Sequence, residues 1–148
     1  MTRGWWVALV ALAWMTGGAR ADDLAQARAE PNLEKRARLA LAESDAALVA
    51  ARSDYQKGDT DRVAADVAKI VDSVDLAFLS LNQTGKDPRK SSRWFKYAEI
   101  QTRGLLRKLD TFERDMNFAD RPVLEKDKTE VQQVHDKLLL GLMEGKPK

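Results

Sequence analysis

VAADVAKIVDSVDLAFLSL, residues 63–81, decides the fold. Val63, Val67, Ile70, Val74, Ala77 and Leu81 recur at alternating steps of four and three, the spacing that lines side chains along one face of an α-helix. Val71 and Phe78 widen that face. Asp59 or Thr60 stands where a cap is needed, and Gly85 where the helix would close. The stretch therefore reads as an amphipathic helix near 60–83.

The same period appears on both sides of it. Upstream, Leu33, Ala37, Leu41, Ser44, Leu48, Ala51 and Tyr55 mark a helix near 32–57, opened by Pro31 and Asn32 and stopped by Gly58. Downstream, Phe95, Ala98, Thr102, Leu105, Leu109, Phe112 and Met116, with Leu106 beside them, mark a helix near 91–117 capped by Ser91 or Ser92. Leu124, Val131, Val134, Leu138 and Leu142, with Leu139 and Met143 alongside, mark another near 121–143, where Asp120 precedes Pro122. No stretch alternates with period two for long enough to make a strand. The links are short, and short links make sequential helices antiparallel neighbours. The expected fold is all-α, an antiparallel up-down-up-down four-helix bundle over residues 32–144, with a tail at 145–148. Residues 22–31 are charged and alanine-rich without a clear stripe, and are expected to form a flexible arm. A more open stack of helix pairs, as in solenoids, is the second architecture.

The first 21 residues, MTRGWWVALVALAWMTGGARA, have the layout of an export signal. Arg3 supplies the positive start, Trp5 to Met15 an uncharged apolar run, and Ala19, Arg20 and Ala21 a small-x-small cleavage site. A run of 11 residues is shorter than the roughly 20 that a membrane-spanning helix needs, so the segment is expected to be cleaved rather than to anchor the chain. Cleavage after Ala21 removes two of the 25 basic residues and no acid, leaving 23 of each sign. That balance argues against a general nucleic-acid binder, whose footprint is a basic excess. The chain has no cysteine, so disulfides, a lipoprotein anchor, thiol chemistry and cysteine metal sites are excluded.

Little in the remainder points to catalysis. His135 is the one histidine and sits at the edge of its helix's apolar stripe. A lone histidine needs partners for acid–base work or metal binding. The Glu-x-x-His pair of a di-metal bundle is missing, because Gln132 stands three residues before it. No nucleophile elbow, phosphate loop or EF-hand loop appears. Ser44 and Thr102 lie on apolar stripes, where a hydroxyl usually bonds a carbonyl one turn back. No catalytic residue, metal site or cofactor is therefore assigned.

The strongest charge feature is Arg89, Arg93, Lys96, Arg103 and Arg107, spaced four, three, seven and four apart and thus on one side of the third long helix. Only Asp87 and Glu99 interrupt this basic stretch, and Trp94, Phe95 and Tyr97 are interleaved with it. Its bland role is a solvated face opposite the core, paired with acids of neighbouring helices. Its functional role would be to bind an acidic protein partner, a polyanion or an anionic lipid surface, the acidic protein being the expected partner.

Two resemblances bear on this reading. Ala51, Tyr55, Gly58 and Asp59 resemble the turn of a tetratricopeptide repeat, a helical-hairpin adaptor. The likeness ends after about nine residues, because Val63, Ile70 and Asp75 stand where small residues and a proline belong. EPNLEKRARLAL (30–41), TGKDPRKSSRWFKYAE (84–99) and DRPVLEKDKTEVQQVHDKLLLGLM (120–143) resemble an uncharacterised family of small exported bacterial all-helical proteins. That resemblance implies an exported helical domain and carries no activity, cofactor or site residue. The expected function is a non-enzymatic interaction or scaffold module of the cell envelope, periplasmic or extracellular. The alternatives are a small-ligand or haem-binding bundle using His135 and a tetratricopeptide-like adaptor.

Overall fold

Local chemistry at the helix ends sets the layout. In the computed structural model, which describes residues 22–146, five helices follow one another: α1 Asp22–Ala29, α2 Leu33–Gln56, α3 Thr60–Gln83, α4 Ser92–Asp115 and α5 Pro122–Glu144. Asn32 caps α2 by accepting the Lys35 N–H at 2.9 Å, and Asp59 caps α3 by accepting the Arg62 N–H at 3.1 Å. Gly58 follows α2 at φ 76°, a left-handed conformation that releases the chain into the next helix. The four long helices fall where the periodicity puts them. The expected signal segment, residues 1–21, and residues 147–148 of the expected tail lie outside the described residues.

The core is made by the stripes. Val63, Val67, Ile70, Val74, Ala77 and Leu81 of α3 are all buried, as are Leu41 and Leu48 of α2, Leu105, Leu109 and Phe112 of α4, and Leu124, Val131 and Leu138 of α5. Full burial of one such large apolar side chain contributes about 1.5–3 kcal/mol, so these positions dominate the favourable side of folding. Ser44 and Thr102 are buried and donate to carbonyls one turn back, Leu41 O at 2.7 Å and Ala98 O at 2.9 Å.

α2 and α3 form one antiparallel hairpin, and α4 and α5 another. The hairpins lie side by side, α2 against α4 and α3 against α5. Along α2 and α4, Asp45 meets Lys108 and Tyr55 meets Phe112, so the two helices run in the same direction. Directions thus alternate along the chain, but α3 and α4 touch only weakly, nearer a diagonal than the side-by-side placement their link length implied. The eight-residue link between Gln83 and Ser92 spans up to about 26 Å when extended, while the diagonal of a bundle with spacing near 10 Å is about 14 Å. The chain can therefore cross the end of the bundle.

Three expectations need correction. The 22–31 segment contains α1, which packs on α2 through Leu24 and Ala27, 7% and 1% exposed. Two anchors one turn apart suffice to dock an eight-residue helix but are too few to show as a stripe. Leu139 and Met143, placed alongside the α5 stripe, are 40% and 68% exposed, because among the described residues no helix covers that side of α5. Gly145, assigned to the tail, is buried and closes α5 at φ 83° against the 87–89 turn.

Candidate functional site

Three features of the described residues offer chemistry: a basic face, a buried histidine–carboxylate pair and a cleft.

The basic face belongs to α4. Its core side carries Phe95, Thr102, Leu105 and Leu109, so positions half a turn away look into solvent. Arg93, Lys96, Arg103 and Arg107 are there, all exposed. From Arg93 to Arg107 they cover about 21 Å of helix, at 1.5 Å per residue. Ile100, 52% exposed, stands in their midst, and exposed Arg114 continues the row one heptad on. Arg89 is not part of this helix. It lies in the turn before α4, and its side-chain carbons would be 3.1–3.4 Å from a Cβ at Gly145, so its stem lies against the end of α5. The expected five-residue strip is therefore four residues on α4 plus one at the foot of α5.

Several cations on the seams between elements are matched: Lys35 with Glu30 at 2.6 Å, Lys86 with Glu34 at 2.6 Å, Lys108 with Asp45 at 2.7 Å, and Lys128 with Asp110 and Glu113. The Glu113 hydrogen bond is the main reason that the Lys128 ammonium is held above its ordinary range. On the α4 face, Arg103 meets Glu99 of its own helix at 3.4 Å and Arg93 stacks 5.0 Å above the Trp94 ring. Lys96 and Arg107 have no ion-pair partner among the described residues. The expected pairing of the strip with acids of neighbouring helices is not found there.

Glu99 also reaches inward. Its Oε1 is 3.1 Å from His135 Nε2 on α5, and both side chains are nearly buried. His135 Nδ1 is buried without a hydrogen-bond partner; the nearest carboxylate, Asp136, is 3.5 Å away and already accepts from Gln132 at 2.8 Å. With Nε2 turned to Glu99 and Nδ1 enclosed, this arrangement ties α4 to α5 and presents neither ring nitrogen to a ligand. The sequence contained the clue. Glu99 is the acid that interrupts the basic face, and it stands next to Ala98 of the core stripe, so it borders the interior.

The cleft was not legible in the sequence. It lies where the C-terminal ends of α3 and α5 meet the 84–91 link and encloses about 640 Å³. Phe78, Pro88, Phe95, Leu138 and Leu140 give it an apolar lining, and Lys86, Lys137 and Lys146 bring ammonium groups to it. The link approaches α5 at Gly141, where a Cβ would lie 3.4 Å from Pro88 Cγ, at van der Waals contact. Its residues come from the end of α3, the 84–91 link, the start of α4 and the end of α5, brought together by the crossing link.

No cluster of three or more metal-ligating side chains occurs among the described residues, and no described helix is long and apolar enough to cross a membrane. Comparison with protein-family models, with curated proteins and with solved structures finds no match to this chain.

Proposed function

We propose that this chain is an exported interaction module of the cell envelope that holds an acidic protein partner on the outer face of α4. The observation that carries the reading is the alignment of four exposed cations along one helix face. Arg93, Lys96 and Arg107 there have no carboxylate partner among the described residues and Arg103 has only Glu99 of its own helix, whereas seams between helices hold pairs such as Lys108 with Asp45 and Lys128 with Asp110. A row of fixed cations on a rigid helix steers an opposite charge and sets its register. One exposed pair contributes only about 0–1 kcal/mol, so affinity depends on several acting together. Ile100 at the centre adds an apolar contact that a purely polar face would lack.

The test compares wild type with Arg93→Gln, Lys96→Gln and Arg103→Gln combined. Both are immobilised, exposed to envelope extract and, in parallel, to polyglutamate. Wild type should retain acidic proteins and polyglutamate at low salt and release them at high salt, where the screening length falls to about 3 Å at 1 M. The triple variant should retain neither while keeping its helical circular dichroism. Equal retention by both proteins rejects the reading.

A further inference from the structure

We infer that the cleft at the 84–91 link is a binding site for a single-chain anionic amphiphile, a fatty acid held by its carboxylate and its chain. This site is separate from the α4 face and does not depend on the function proposed for it.

Size, lining and charge support the inference. A volume of about 640 Å³ lies within the roughly 300–1,000 Å³ of small-molecule sites. Half-buried Phe78 and exposed Leu140 give an apolar surface that an alkyl chain would cover, backed by the buried Pro88, Phe95 and Leu138. Among the lining residues three ammonium groups face one carboxylate, that of Glu144. Lys86 is engaged by Glu34, but Lys137 is held over the Phe78 ring at 5.9 Å and Lys146 has no carboxylate partner among the described residues. The excess positive charge sits at the edge of an apolar recess, which favours a molecule with a negative head and an apolar tail. A neutral lipid would leave the ammonium groups without a counter-charge, and a small polar anion would leave Phe78 and Leu140 uncovered.

Gly145 ends α5 against Asp87 and Arg89 of the link, and Pro88 of the link lies near Gly141 of α5. The link thus borders α5 at two points. Leu140, 52% exposed, forms part of the lining and presents apolar surface to solvent when no ligand is present.

Isothermal titration of the protein with laurate, below its micellar concentration, tests the assignment. Laurate should give saturable heat at one molecule per chain. Acetate, lacking the tail, and dodecyl maltoside, lacking the charge, should each bind at least about tenfold more weakly, a difference of about 1.4 kcal/mol. Lys137→Gln with Lys146→Gln should weaken laurate by more than about threefold, and Asn82→Trp at the lining should block it. Each variant is checked for unchanged helical circular dichroism. The α4 triple variant should bind laurate as wild type does. Absence of saturable heat, equal binding of dodecyl maltoside, or loss of laurate in the α4 variant with retention in the lysine variant overturns the assignment.

Discussion

Tyr55→Phe removes one hydroxyl and leaves the ring in place. That hydroxyl donates to Asp120 Oδ2 at 2.9 Å and accepts the Asn117 N–H at 2.8 Å, joining the end of α2 to the α4–α5 turn. The ring packs edge-on against Phe112, with centroids 5.8 Å apart, and Phe preserves that contact. A neutral hydrogen bond is worth about 1 kcal/mol, and one to a carboxylate about 1.5–3 kcal/mol. The Asp120 bond is partly exposed, so water replaces some of what is lost. The net cost is about 2 kcal/mol, which for a domain of this size lowers Tm by about 6–12 °C. Urea unfolding should give this loss with an unchanged slope, because the surface exposed on unfolding is the same. A loss below about 0.5 kcal/mol would refute the idea that this hydroxyl holds the two hairpins in register.

Glu99→Ala should cost about 1–3 kcal/mol by leaving His135 Nε2 enclosed without an acceptor, and a double-mutant cycle with His135→Ala should recover about 1 kcal/mol of coupling in chemical denaturation. Burial, then the charge of Glu130, pushes the carboxyls of Asp75 and Asp127 above their ordinary 3.8. The folded state therefore binds these protons more tightly than the unfolded chain, and their contribution to stability is present at low pH and lost as pH rises from 3.8 through the raised values. Asp75→Asn and Asp127→Asn should remove that part of the pH dependence and raise stability at neutral pH, as read from urea midpoints across pH. Gly145→Ala should cost about 1–3 kcal/mol by thermal unfolding, because φ 83° with ψ −164° is a conformation almost confined to glycine. Intact-mass measurement of protein recovered from the envelope or medium should show a chain starting at Asp22; a mass that includes Trp5 and Trp6 removes the expectation of export.

The sequence showed the long helices clearly because each buries a whole stripe, and a period of four and three survives any choice of neighbour. Asn32 and Asp59 marked their ends for a similarly local reason, since a cap needs only the next turn. What was not legible depends on tertiary placement. Leu139 and Met143 have the right residue type for a core and are exposed because no described helix faces them. α1 docks through two residues, too few to define a period. Arg89 has the spacing of the basic strip but precedes the helix, so it turns toward α5. The Glu99–His135 pair joins positions 36 apart, and no local pattern reports such a pair. The cleft owes its existence to the diagonal crossing, and a link of eight residues permits that path without requiring it.

That crossing also decides how the molecule is polarised. Asp72 and Asp75 of α3 share a seam with Asp127 and Glu130 of α5, while the arginines of α4 occupy the opposite corner. Had α3 and α4 been neighbours, the two sets would have neutralised each other across one seam. Instead the carboxylate cluster and the α4 cations stay on separate sides, and the surface is two-sided in charge on close approach. At low salt it should adhere to cation-exchange and anion-exchange resins alike, each time by a different side. An acidic surface would then find it already turned, with α4 leading and the carboxylates trailing.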